Sequence, residues 1–158
     1  MKVPLTAIAL GIAVFVSYVQ WDAYEKRQAA YADAQARAEA PATQWFVVRQ
    51  VAVTDFKTGD KIVPAIYDRE IRKPFVGDWR AEVHDANTQE TVCDGGGTRY
   101  YAPSDVLPVA GVNLTWLVGK ECDYKPGEYY VEINYTIRPP NYPDKTYRAV
   151  SPIFKVTE

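Results

Sequence analysis

Two cysteines, a single histidine and a run of three glycines are the residues of this chain whose type and spacing could do chemistry. Cys93 and Cys122 lie 29 residues apart. That spacing does not fit a zinc site, which would need two further ligands set near them. A disulfide formed in an oxidising compartment fits the pair, and its role is structural: it ties down the turn-rich segment between them. His84 falls on the outward face of its strand beside Glu82 and Asp85, and one histidine cannot build a His-based metal cluster. Asp94-Gly95-Gly96-Gly97 has the look of a phosphate loop. Such loops owe their anion affinity to a following helix N-terminus, whereas Thr98-Arg99-Tyr100-Tyr101 reads as strand. The glycines are therefore read as a flexible bend after Cys93. No serine or cysteine sits in a nucleophile-elbow context. The residues predict no catalytic group, no metal site and no cofactor.

Binding chemistry is better supplied. Of twelve tyrosines, Tyr100, Tyr101, Tyr124, Tyr129, Tyr130, Tyr135, Tyr142 and Tyr147 fall in the last 60 residues of the chain. Tyrosine is a good strand residue, which accounts for most of them. Tyr130 points away from the apolar face of its strand and Tyr142 sits in a loop. Exposed rings at one end of a β-sandwich make these two the candidate contact residues for a protein partner. Nucleic acid is excluded as a partner, because 18 basic against 20 acidic residues leave no positive excess to bind phosphates.

These residues must be positioned by a chain of 158 residues, room for one ordinary domain. Its first segment is apolar. After Lys2, Val3 to Val19 runs seventeen residues without a charge, about 26 Å as a helix and the short end of a bilayer crossing. Pro4 falls in the first turn, where its missing N–H costs little. Tyr18, Trp21 and Tyr24 cluster at the far end, where amphipathic rings favour the headgroup region. A cleaved signal peptide would need small residues at the last and third-last positions before the cut, and Ser17-Tyr18-Val19-Gln20-Trp21 offers no such pair. Residues 1–21 are thus expected to be a transmembrane anchor, with the lipid bilayer met through residues 3–19. Residues 22–42 are rich in Ala, Gln, Glu, Arg and Lys, without Gly before Pro41, and predict a helical stalk. Trp21, Tyr24, Gln28, Tyr31, Gln35 and Ala38 share a face, a poor coiled-coil seam with two glutamines in it.

From 43 to 158 the pattern turns to β. Trp45 to Thr54 is β-branched and aromatic, and Thr58-Gly59-Asp60 makes a turn. Lys61–Tyr67 and Glu70–Lys73 read as two short strands, confined to edges by Pro64 and Pro74. Trp79 to Asp85 alternates, with Trp79, Ala81 and Val83 inward. Ala86 to Gln89 connects a hairpin returning over Glu90 to Cys93. Val112 to Val118 alternates again and predicts a strand with Val112, Leu114, Trp116 and Val118 inward. Glu128 to Arg138 is the longest strand, with Tyr129, Val131, Ile133, Tyr135 and Ile137 on one face. A Pro-rich turn leads to a last strand or pair of strands over Thr146–Thr157, interrupted at Pro152. The fold class is mainly β: an N-terminal transmembrane helix and stalk, then one immunoglobulin-like antiparallel β-sandwich.

Pro126-Gly127-Glu128-Tyr129, entering the long strand, resembles the turn before the penultimate strand of many immunoglobulin-like modules. The run from Asp68-Arg69-Glu70-Ile71 through Phe75, Trp79, Cys93 and Cys122 to that turn resembles small membrane-anchored proteins of bacterial phages and prophages. The resemblance covers residues 66–156, implies the sandwich and a phage or prophage source, and implies no activity. An immunoglobulin proper is excluded, since Trp79 precedes both cysteines and Trp116 falls too late between them.

The function expected is a non-enzymatic, membrane-anchored binding or accessory module that presents the sandwich outside the cytoplasmic membrane. The alternative is a pilin-like or other structural subunit, though the chain lacks the pilin processing signal of Gly, Phe and a fifth-position Glu. An enzyme would have to carry its groups on loops. On topology the sequence argues with itself. Lys26, Arg27 and Arg37 outnumber Lys2, which alone would hold the C-terminal domain in the cytoplasm. A large folded domain translocates largely regardless of that count, and the paired cysteines ask for an oxidising compartment. The expectation is N-terminus in, β domain periplasmic or extracellular.

Overall fold

The computed structural model describes residues 5–107 and 111–158, and in the first helix its side chains from residue 16 onward. Two compact units result, residues 1–40 and 41–158. The first is a single helix, α1 (Leu5–Glu39). Its solvated part is laced by pairs one turn apart: Lys26 on Asp22 at 2.8 Å, Trp21 Nε1 donating to Glu25 at 2.8 Å, Gln35 to Glu39 at 2.9 Å. Such pairs replace a packed face, and Tyr18, Trp21, Tyr24 and Tyr31 are all exposed. Among the described residues no helix is long and apolar enough to cross a membrane. Most of the Val3–Val19 run, which carries the anchor expectation, lies outside the described side chains.

The second unit is built of strands. A 3-10 turn (Ala42–Gln44) leads into β1 (Phe46–Val53), followed by β2 (Phe56–Lys57), β3 (Pro64–Ile71), β4 (Phe75–Asp85) and β5 (Thr91–Tyr101). Then come β6 (Val112–Asn113), the short helix α2 (Leu114–Val118), β7 (Gly127–Arg138), β8 (Lys145–Val150) and β9 (Phe154–Thr157). One sheet has the order β1-β3-β6. The other runs β2-β9-β7-β4-β5, with β8 also pairing β7. All pairings are antiparallel except β2 with β9. At the Pro152 break, β7 is kept paired by Ser151: its hydroxyl accepts from the Val131 N–H at 2.9 Å, and its own N–H donates to the Val131 carbonyl.

Period-two alternation decides what is buried. The expected inward set of β7, Tyr129, Val131, Ile133, Tyr135 and Ile137, is buried throughout. Phe46 of β1 joins the two sheets: its ring lies 4.6 Å from Tyr135, 5.7 Å from Tyr147, 5.8 Å from Phe75 and 6.0 Å from Tyr101. These are edge-on or tilted contacts of the kind aromatic quadrupoles favour.

Three expectations fail. The two short strands around Tyr67 and Glu70 are one strand, β3, which starts at Pro64, where no ladder N–H is needed. The expected strand Val112–Val118 is only two residues of strand and then α2. The Asn113 side chain accepts from the Thr115 N–H at 3.0 Å, capping the helix. Gly119, at φ 85°, closes it in the left-handed conformation. Its buried residues, Leu114, Leu117 and Val118, follow the helical spacing, and Trp116 faces out. The glycine run is no bend: Gly95, Gly96 and Gly97 lie within β5, opposite Ala81, Arg80 and Trp79 of β4.

Candidate functional site

Why β5 carries glycines follows from what lies on them. A Cβ at Gly95 would collide with the backbone carbonyl of Val118, so α2 packs directly onto the strand there. One at Gly97 would come within 3.3 Å of Trp79 Nε1, and one at Gly119 within 3.1 Å of Trp79 Cη2. The Trp79 indole is therefore laid flat in a slot that side chains would fill. Cys93, buried in the same strand, is bonded to Cys122 just beyond α2, with Cα atoms 6.1 Å apart. The disulfide expected from the sequence thus fastens the loop after α2 to β5.

This packing leaves a cavity of about 160 Å³ between the sheets, with Trp79, Trp116, Leu117 and Ile133 as apolar walls. Its polar groups come from three strands: Tyr67 and Arg69 of β3, Arg99 and Tyr101 of β5, and Tyr135 of β7. On β3, Ala65, Tyr67 and Ile71 are buried and Arg69 shares their face, so a cation occupies an inward position. The Arg69 guanidinium lies 5.7 Å from the Tyr67 ring centre and 5.2 Å from that of Tyr101. Both contacts are cation–π. Its Nε is buried without a hydrogen-bond partner.

Arg69 also stands apart in charge. Arg49, Arg72, Arg80, Arg99, Arg138 and Arg148 each reach a carboxylate. Among the described residues of 41–158, Arg69 is the arginine that does not. Arg99, across the cavity, is offset by Asp105 at 3.2 Å. The Tyr67 and Tyr135 hydroxyls are hydrogen-bonded to each other between the sheets. Burial raises both of their pKa values, and it pushes Tyr101 up to about 12, with Tyr67 adding to the effect. At neutral pH all three phenols keep their protons and act as donors.

The residues predicted as contacts are elsewhere. Tyr130 stacks on His84, ring centres 5.1 Å apart, and donates to Gln89 Oε1 at 2.7 Å. Tyr142 packs edge-on against Trp45 at 4.8 Å. The two lie beyond or near opposite ends of the twelve-residue β7, so they do not form the single patch expected of them. His84 is covered by Tyr130, with Nδ1 3.3 Å from Thr91 Oγ1 and Nε2 3.8 Å from Glu82. A wider cleft of about 430 Å³ beside the disulfide mixes Asp60, Glu121 and Asp123 with Lys61 and Lys120, and none of its lining atoms is buried and unpartnered. The Arg69 cavity was missed in the sequence, although Ala65, Tyr67, Arg69 and Ile71 at alternate positions hold its signal. Compared with protein-family models and with curated proteins, the chain matches none.

Proposed function

We propose that the protein is a non-enzymatic binding module: an immunoglobulin-like β-sandwich carried on a helical stalk, anchored by Val3–Val19, and presented outside the cytoplasmic membrane to a protein partner. The observation that carries the binding reading is Arg69. A guanidinium at an inward strand position, without a carboxylate, costs stability that a ligand would return. The cavity offers protonated phenols, guanidinium groups and indoles, which are suited to holding a ligand. The Cys93–Cys122 bond supports the exported side of the membrane.

The test is an aromatic photoreactive amino acid in place of Trp116, which is 48% exposed at the cavity mouth, so that a ring is kept at that wall, in the full chain in intact membranes. A discrete protein adduct that Arg69→Ala abolishes is the expected result. Adducts indifferent to Arg69, or none at all, would count against the reading.

A further inference from the structure

The chemistry of the cavity narrows what it takes, on the premise that it is a binding site. Arg69 brings one positive charge without a counter-ion, while the charge of Arg99 is already met by Asp105. A net single charge suits a monoanion and leaves a phosphate dianion undercompensated. The guanidinium lies over two rings and is within hydrogen-bond reach of the Tyr67 and Tyr101 hydroxyls, while its Nε–H is buried without a partner and is left for an oxygen of a planar acceptor. In the Tyr67–Tyr135 pair one hydroxyl donates to the other, so the acceptor's own hydrogen remains to be given to a ligand oxygen. Beyond these groups the walls are indole and aliphatic. The volume of about 160 Å³ is close to that of an apolar cavity known to accept benzene, about 150 Å³.

We propose that the Arg69 cavity binds a monocarboxylate carried on a flat, ring-sized apolar body, with the carboxylate on Arg69 and the ring between Trp79 and Trp116. The group has two natural sources, a free aromatic acid or the C-terminal aromatic residue of a partner chain.

The test is calorimetric titration of the full-length protein in detergent with benzoate, benzamide and inorganic phosphate. Benzoate should saturate one site. Benzamide has the same shape without the charge and should bind about thirtyfold more weakly, the weight of one charge-assisted contact. Phosphate should bind more weakly than benzoate. Arg69→Met should lose benzoate by a similar factor, and Trp116→Ala, at the exposed mouth, should weaken it without relying on a buried substitution. N-acetylphenylalanine separates the sources: tighter binding than benzoate marks a chain terminus, weaker binding a free acid, and either keeps the carboxylate class. Equal affinity for benzoate and benzamide, tighter binding of phosphate, or no saturation would overturn the proposal. That failure removes the ligand class alone, whereas loss of Arg69-dependent cross-linking removes the binding module.

Discussion

Gly95 and Gly97 differ by two positions on one strand face and by what lies above them. Gly95 faces a backbone carbonyl, which cannot move without shifting α2, and Gly97 faces the Trp79 ring, which can tilt. Gly95→Ala should therefore cost about 3 kcal/mol and Gly97→Ala markedly less. Denaturant melts of the two variants check this order, and equal costs would mean that α2 is not seated on β5. Cys93→Ser acts at the same place through the unfolded chain. Closing a loop of 29 residues contributes about 3.5 kcal/mol in the chain-entropy account, so the variant should melt well below the parent. The cysteine pair was legible because few alternatives exist for two cysteines. Arg69 was not. The charged run Asp68-Arg69-Glu70 interrupts the alternation, so the strand reads as two pieces with Arg69 in the gap. A charge at an inward position is what the rule for hydrophobic alternation is built to reject.

At the scale of elements, β4 shows how the outer face is held. Asp78 accepts from Arg138 of β7, and Thr98 of β5 donates to it at 2.6 Å, so one carboxylate ties three strands. The Arg138 guanidinium, then the Thr98 hydroxyl, hold its pKa at about 2 against an ordinary 3.8. A lowered folded-state pKa means that the contribution is complete above 3.8 and is lost as pH falls through about 2. Asp78→Asn should melt below the parent at neutral pH, and the gap should close between about pH 4 and about pH 2. A gap that stays constant with pH would remove Asp78 from the acid response. Strand β7 and the Trp79–Asp85 part of β4 could be read in advance from their alternation, and β1 from its β-branched and aromatic residues, although a register shift between Val48 and Gln50 breaks its alternation. Helix α2 could not, because Val112 to Val118 also alternates. Its distinguishing marks are an Asn and a Gly six residues apart and the adjacent apolar pair Leu117-Val118, which a half-buried strand would not place side by side.

For the whole molecule, the proposed function requires a β domain held outside the cytoplasmic membrane. An exported domain forms its disulfide and meets partners outside the cell, and a cytoplasmic one keeps its thiols reduced. Cys93 and Cys122 in protein taken from its native compartment should resist alkylation until a reductant is added. The basic residues Lys26, Arg27 and Arg37 pull the other way, so the orientation is where sequence rules conflict most sharply. Protease added to spheroplasts of a bacterial host decides it. The β domain should be digested while a short membrane-embedded fragment containing Val3–Val19 survives. Full protection until the membrane is lysed would contradict the orientation, the compartment of the disulfide and the outward-facing binding function together.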